Sequence, residues 1–382
     1  MTQSAFSAAE QYERELVDQV DRTLSDLLGT GWKVRSRPAV HKGVDGIVIV
    51  SAPRGGPEGI LLIEAKQQLS PAAVARSLAP RLERLRRSIG DEAVAVVVSS
   101  WLSPRTRQVL DAEGISYLDL TGNVSLRIPE PAVLIKTQGD QRDPQPRSEV
   151  RRGISGPRAG RVVRQLVDFE PPRRAAELAE ASGISESYAS RLLEVLGEEA
   201  LIRRKDRVIV KIDWQNLLRA RAASYQLTKA NHVVPAVARR GVEATLEALR
   251  GGKSSHPVLI TGTWAANGYV PLVVGGALML YVPPGPRVID EVMKELGLMR
   301  VPQGTTPAVQ LLQPLSDGAL ERPGRPVDGV PTVGLSQLVL DCLTGPGRLP
   351  AAGEALLDWM AGHEDAWREP SPLVDSGDAS LD

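Results

Sequence analysis

The sequence predicts a multidomain protein of the mixed α/β class, and three observations support this. At 382 residues, the chain is long enough for two or three domains. Short apolar runs alternate with helical segments towards both ends of the chain, as in α/β domains. Between them, a series of helices ends in a short basic hairpin. We therefore predict an N-terminal α/β domain (1–140), a linker (141–158), a central helical domain (159–213), a C-terminal α/β domain (214–362) and an acidic flexible tail (363–382).

Composition limits the classes of function. The formal net charge is zero, so affinity for nucleic acid must come from a local patch and not from the whole surface. The arginine-rich linker and the segment 200–211 are both locally basic. A single cysteine, Cys342, excludes an internal disulfide, and the four histidines lack metal-ligand spacing. Without a signal pattern or a long apolar run, we expect a cytoplasmic protein that contacts no membrane.

The N-terminal domain is predicted to begin with an amphipathic helix. Over residues 8–28, Leu16, Val20 and Leu24 recur on one helical face. Apolar runs typical of strands follow at 46–51, 59–64, 93–99, 115–120 and 124–128. Further helices are expected over 70–89 and 103–113. This order of elements indicates a small α/β domain that ends near Gly139.

Charged residues lie at the ends of the first two predicted strands. Asp45 precedes one strand, while Glu64 and Lys66 stand two residues apart at the end of the next, on the same side of it. With Glu13 or Glu15 on the preceding helix, this pattern resembles the PD-(D/E)xK restriction-endonuclease-like fold. The resemblance implies that Asp45 and Glu64 hold Mg²⁺ against a scissile phosphate. Lys66 would then polarise the attacking water or stabilise developing negative charge.

The segment before Asp45 departs from that pattern, because it reads HKGV and lacks a clear proline–aspartate entry. A charged strand end that keeps the domain soluble explains the same residues without catalysis. We therefore expect a restriction-endonuclease-like domain that does not cleave DNA, and hence no enzyme and no cofactor.

A second motif, Y-x-D-x-x-G-N, spans 117–123 and precedes an alternating strand. A structural hairpin accounts for it, because Gly122-Asn123 suits a turn that requires positive φ. The motif also resembles the N-terminal region of AbiEi-like antitoxins of type IV toxin–antitoxin systems, in which it similarly precedes a helix-turn-helix.

The segment 174–211 predicts two helices separated by Ser182-Gly183-Ile184, followed by two short strands around a cationic tip. This order resembles a winged helix-turn-helix. The resemblance implies that the second helix enters the DNA major groove and that the hairpin lies against phosphates. A protein-interaction or dimerisation module is the alternative. The residues predicted to contact DNA are Ser185, Ser187, Tyr188, Ser190, Arg191, Arg203, Arg204, Lys205 and Arg207.

The C-terminal segment 259–267 contains a strand that runs into T-G-x-x-A-A. This resembles the nucleotidyltransferase-like core in the C-terminal part of the same antitoxin-like regulators. The following apolar run, 277–282, lacks the paired carboxylates that such catalysis requires. We therefore expect a non-catalytic scaffold for dimerisation, effector sensing or partner binding.

Together these features predict an antitoxin-like, sequence-specific transcriptional regulator that binds an operator duplex. We expect it to form a homodimer and to have a cognate toxin as a further partner. One alternative is a Mg²⁺-dependent DNA nuclease of the PD-(D/E)xK type, acting in defence or repair through Asp45, Glu64 and Lys66. The other is an antitoxin that works mainly by protein contact.

Overall fold

The computed structural model describes residues 8–37, 43–90, 92–144, 154–271, 275–302 and 304–372. The chain divides into two compact units, one of residues 1–149 with 197–200 and the other of residues 150–196 with 201–382. The helices are α1 (Ala8–Leu28), α2 (Pro71–Ala73), α3 (Ala79–Ile89), α4 (Pro104–Ala112), α5 (Gly156–Asp168), α6 (Ala175–Ala181), α7 (Glu186–Glu198), α8 (Trp214–Ala222), α9 (Leu227–Ala230), α10 (Val242–Arg250), α11 (Gly262–Ala266), α12 (Val288–Glu295), α13 (Leu335–Thr344) and α14 (Leu349–Gly362). The strands are β1 (Lys33–Arg37), β2 (Gly46–Ser51), β3 (Glu58–Ala65), β4 (Val94–Ser99), β5 (Ser116–Asp119), β6 (Val124–Ile128), β7 (Val133–Thr137), β8 (Arg173–Arg174), β9 (Ile202–Lys205), β10 (Val208–Ile212), β11 (Asn231–Ala238), β12 (Leu259–Thr261), β13 (Leu278–Tyr281), β14 (Leu298–Arg300) and β15 (Val309–Pro314).

The first unit is built on a seven-stranded sheet in which the strands follow their chain order, β1 to β7. β3, β4 and β5 are parallel, because helical crossovers connect them. The remaining pairs are antiparallel neighbours. The result is a mixed α/β fold, as the sequence predicts.

Both faces of this sheet are covered by helices. Leu16, Val20 and Leu24 of α1 pack on one face, together with Ile63 of β3. The opposite face includes Leu62 and packs against α3 and α4. Because side chains alternate along a strand, Glu64 lies on the α3 side together with Leu62.

Gly46 allows α1 to lie close to the start of β2. A Cβ atom at this position would stand 2.9 Å from Cγ1 of Val17 on α1. That distance is shorter than carbon atoms tolerate, so a larger residue here would push the helix away from the sheet. The backbone beside Asp45 is therefore fixed by packing against α1.

The second unit contains a three-stranded sheet, β8-β10-β9, and a five-stranded sheet, β12-β13-β15-β11-β14. The sequence predicts separate domains at 159–213 and 214–362, but one continuous core joins them, including Leu166, Leu193 and Leu340. The physical reason is α5, which packs against α6 and also against α8 and α13.

The flexible tail predicted from residue 363 is not observed over 363–372. Trp367 meets the ring of Trp214 edge to face at 5.1 Å, and the Trp214 indole nitrogen donates to Glu364 at 2.8 Å. Arg368 donates to the carbonyl oxygens of Val167 and Phe169. These contacts hold the segment against α5 and α8 of the same unit, while 373–382 lie outside the described residues. Among the described residues, no helix is both long and apolar enough to cross a membrane.

Candidate functional site

Asp45 ties the end of β3 to the start of β2. Its backbone N–H donates to the carbonyl of Ile63 at 2.9 Å, and its Oδ2 accepts the N–H of Ala65 at 2.8 Å. The Asp45 carboxylate thus adds a hydrogen bond between β2 and β3 just beyond the last paired residues, Gly46 and Ile63. This bond fixes the direction of the Asp45 side chain towards the end of β3.

Three oxygen atoms surround the ammonium group of Lys66. Its Nζ lies 2.9 Å from Oε1 of Glu64 and 3.5 Å from Oδ2 of Asp45, and it donates to the carbonyl of Ala65 at 2.8 Å. The structure therefore brings together Asp45, Glu64 and Lys66 as predicted, and it adds a backbone carbonyl to the set.

Arg81 on α3 is a fourth member of the site that the sequence did not single out. Its guanidinium forms an ion pair with Glu64 and donates to the carbonyl of Gly43. Glu64 is only 2% exposed, and a buried carboxylate is costly unless cations and hydrogen bonds compensate it. Lys66 and Arg81 provide that compensation from two different elements.

The donor set fits a hard divalent cation. Carboxylate and carbonyl oxygens are the ligands that Mg²⁺ prefers, and here Asp45, Glu64 and Ala65 direct such oxygens at one cationic nitrogen. The described residues contain no group of three or more His, Cys, Asp or Glu placed to hold a metal.

Glu15 is exposed and makes no ion pair with another described residue, and the side chain of Glu13 lies outside the described residues.

The Y-x-D-x-x-G-N motif forms a buried polar network. Asp119 is 2% exposed and accepts the backbone N–H groups of Leu102, Thr121 and Asn123, each at 3.0 Å. Asn123 is fully buried, donates to Asp119 at 2.9 Å and accepts from Arg107. Nearly all polar atoms of the motif are engaged within the protein, so it stabilises the turn between β5 and β6.

The segment 259–267 is closely packed at Gly262 and against β13. Gly262 has φ of 70°, and a Cβ atom there would lie 2.8 Å from the sulfur of Met279. The adjacent strand β13 is buried along its whole length and carries no carboxylate. The hydroxyl of Thr261 donates to Asp341, a buried residue on α13. The role of this segment as a non-catalytic scaffold stays a prediction.

The predicted recognition helix corresponds to α7. Ser185 precedes it and accepts the N–H of Tyr188 through its hydroxyl at 3.4 Å. Ser185, Ser187, Ser190 and Arg191 are exposed, whereas Tyr188 packs partly against the core. Contact of these residues with DNA stays a prediction, and for Tyr188 the packing leaves only part of the side chain accessible.

The basic hairpin is formed by β9 and β10 with Asp206 and Arg207 at its tip. Its cations, Arg203, Arg204, Lys205 and Arg207, are all exposed, and none forms an ion pair with another described residue. Asp206 and Arg207 have φ of 50° and 68°, which is the pattern of a type I′ turn without its usual glycine. The hairpin therefore presents its positive charge to solvent.

No known protein family matches the chain, and no curated protein does. Similar solved structures are EndoMS in its apo form (21% identical, TM-score 0.22) and EndoMS in complex with double-stranded DNA (19%, TM-score 0.22). A third is a repair endonuclease from Pyrococcus abyssi (15%, TM-score 0.21). Each match covers 31% of this chain and 48% or 49% of the other, so the chain spans about half the length of these proteins. At such TM-scores, no geometry or residue role is transferred.

The expectation that this chain is not an enzyme is corrected. The similar solved structures are of EndoMS and of a repair endonuclease. The physical reason for the wrong expectation is that it relied on the segment HKGV before Asp45. The position of Asp45 is set instead by its bonds to Ile63 and Ala65, which need no proline.

Proposed function

We propose that this chain is a divalent-metal-dependent DNA endonuclease whose site consists of Asp45, Glu64 and Lys66. The observation that supports it best is the convergence of two carboxylates and the Ala65 carbonyl on the Lys66 ammonium group. In metal-assisted hydrolysis of a phosphodiester, anionic oxygens hold the metal ion and a cation stabilises the charge that develops on the phosphate.

Each residue has a separate task in the proposed reaction. Asp45 and Glu64 would hold Mg²⁺, which supplies Lewis-acid stabilisation of the negative charge that develops on the phosphate. Lys66 would donate a hydrogen bond to the reacting phosphate or to the attacking water. Arg81 keeps the Glu64 carboxylate in place and is therefore a positioning residue.

Duplex DNA is the proposed substrate, and the exposed hairpin 202–212 supports this choice. Four unpaired cations within five residues would bind the phosphate backbone independently of sequence, and exposed side chains at the start of α7 would add selectivity. We interpret the segment 156–212 as a winged helix-turn-helix in this role. A relation to AbiEi-like antitoxins, a toxin partner and a homodimer stay predictions from the sequence.

Cleavage of supercoiled plasmid in Mg²⁺ and in EDTA tests the proposal. We expect Mg²⁺-dependent nicking that falls by about a hundredfold or more in Glu64→Gln. The reason is that loss of a metal ligand should lower activity more than loss of a residue that only positions a ligand. Lys66→Gln should fall similarly, and as a half-exposed residue it is the safer change for folding. Glu58→Gln is the matched control, since Glu58 is exposed at the other end of β3 and its carboxylate accepts a hydrogen bond from Ser51.

Circular dichroism and melting temperature should show that all three variants are folded. If folded Glu64→Gln and Lys66→Gln cut as fast as the wild type, the cleavage comes from a contaminant and the assigned site is wrong. If the wild type cuts neither plasmid nor linear, mismatched or branched duplexes in Mg²⁺ or Mn²⁺, the proposed function itself is wrong.

A further inference from the structure

The second unit contains a cavity of about 50 Å³ that is lined by three arginines. Arg161 and Arg164 lie on α5, and Arg221 lies near the end of α8. At roughly 10–15 Å³ for each water molecule, the cavity has room for about four waters, or for one phosphate-sized oxyanion. Tyr225, Asn231 and Gln337 line the same space.

Two of these arginines are almost completely buried. Arg164 is 8% exposed and Arg221 is 6% exposed, whereas Arg161 is half-buried. Arg164 donates to the carbonyl of Gly318 and lies 3.4 Å from Glu321. Arg221 donates to the carbonyl of Ile154 at 2.9 Å, but its Nε is buried without a hydrogen-bond partner.

The positive charges are not balanced within the cavity. Its lining residues include no carboxylate. Asp168, Glu321 and Asp341, which lie outside the lining, attract Arg164, and Glu321 is itself substantially exposed. Burial lowers the pKa of Arg221, and the charge of Arg164 lowers it further, so the two guanidinium groups repel one another. Burial likewise lowers the pKa of Arg164. A buried charge of this kind is stabilised by a counter-ion.

The side chains of Tyr225, Asn231 and Gln337, which also line the cavity, are engaged elsewhere. The hydroxyl of Tyr225 and the amide of Gln337 donate to Asp341 at 2.9 Å and 2.8 Å, and Asn231 donates to the carbonyl of Leu227. Asp341 lies behind this layer and does not line the cavity. The groups left to recognise a ligand are therefore the arginines and Ser316, which also lines the cavity.

We propose that this cavity binds a phosphate group, either as free phosphate or as part of a small phosphomonoester. Guanidinium groups present paired N–H donors that match phosphate oxygens, and a dianion would neutralise most of the charge of three arginines. This site lies in a different unit from the proposed nuclease site and uses none of its residues, so each stands or falls independently.

Isothermal titration of the full-length chain tests the proposal, with inorganic phosphate and, separately, deoxyadenosine monophosphate in a chloride buffer with EDTA. EDTA removes metal-dependent phosphate binding at Asp45 and Glu64. We expect saturable binding of one phosphate per chain, weakened about tenfold or more in Arg161→Gln, because a charge-assisted hydrogen bond is lost. Arg161 is preferred to the buried arginines because it is only half-buried, and circular dichroism should show that the variant tolerates loss of the hydrogen bond from Arg161 Nε to the carbonyl of Ser182.

Arg158→Gln is the matched control, because Arg158 is an exposed arginine on the same helix that does not line the cavity. It should bind phosphate as tightly as the wild type. Equal affinities for both ligands identify free phosphate as sufficient, and tighter binding of the nucleotide identifies a phosphomonoester. No saturable binding of either ligand, or equal weakening in both arginine variants, would overturn the proposal.

Discussion

The ammonium nitrogen of Lys66 lies 2.9 Å from Oε1 of Glu64, a residue that is only 2% exposed. The two side chains stand two residues apart at the end of β3, so the pleat of the strand sets their relation. Arg81 reaches the same carboxylate from α3. A buried carboxylate is thus held between a cation of its own strand and a cation of the helix that covers the sheet.

Arg81→Gln is predicted to destabilise the protein. Glu64 would keep only one of its two cationic partners in a buried position, which should lower the free energy of unfolding by about 1–3 kcal/mol. Urea denaturation followed by circular dichroism measures this change. Arg84→Gln is the control, since Arg84 is exposed on the same helix, and its effect should stay within about 0.5 kcal/mol. Equal midpoints for both variants would show that Arg81 does not stabilise Glu64.

The inner strands of the first unit were predictable, and its edge strands were not. β2 and β6 have the predicted bounds because they are buried apolar runs, and α1 shows a clear apolar face. β1 and β7, which form the two edges of the sheet, are not among the predicted strands. Their side chains are mostly exposed, so their sequences, KVRSR and VLIKT, need no alternating apolar pattern. Only pairing with β2 and β6 makes them strands.

The proposed site was predictable only in part. Asp45, Glu64 and Lys66 are adjacent to strands, and their spacing along the chain predicts proximity. Arg81 is one of several arginines in 70–89, and nothing in that sequence distinguishes the one that faces Glu64. The cavity arginines also escape prediction, because Arg161 and Arg221 are separated by sixty residues and meet only through the packing of α5 on α8.

Replacing Arg203 and Arg204 by alanine is predicted to weaken binding to all duplexes. Both side chains are exposed and would contact phosphates, so the slope of log affinity against log salt should fall by about two. Arg239→Ala with Arg240→Ala is the control, since these are also adjacent exposed arginines of the second unit. Fluorescence anisotropy at several salt concentrations measures both. An unchanged slope in the hairpin variant, or equal losses in both pairs, would contradict the assignment.

Asp341 makes the stability of the protein depend on pH. Burial raises the pKa of its carboxyl to about 6, against an ordinary value of 3.8, although hydrogen bonds from four side chains oppose this. The folded protein therefore holds this proton more tightly than the unfolded chain does. Its contribution to stability is complete below about pH 4 and is lost as the pH rises to about 6, an effect of about 3 kcal/mol.

Asp341→Asn should remove this component, because an amide does not ionise. Urea denaturation across this pH range should show a shallower decline in the variant than in the wild type. Asp168, whose pKa burial also raises, is present in both proteins and cancels in the comparison. Asp358→Asn, an exposed change on α14, should leave the wild-type pH dependence intact. Identical pH profiles for wild type and Asp341→Asn would show that Asp341 does not titrate in this range.

Arg207→Gly is predicted to stabilise the protein while weakening its binding to DNA. Arg207 has φ of 68°, where glycine lacks the steric cost of a side chain, so the free energy of unfolding should rise by about 0.5–1 kcal/mol. Loss of the exposed cation should reduce the salt slope of DNA binding by about one. Arg207→Ala separates the two effects, because it removes the charge and keeps a Cβ atom at positive φ. It should lose the same DNA affinity without the gain in stability. If Arg207→Gly binds DNA as tightly as the wild type, the tip does not contact phosphate, and the strained backbone at the turn serves another purpose.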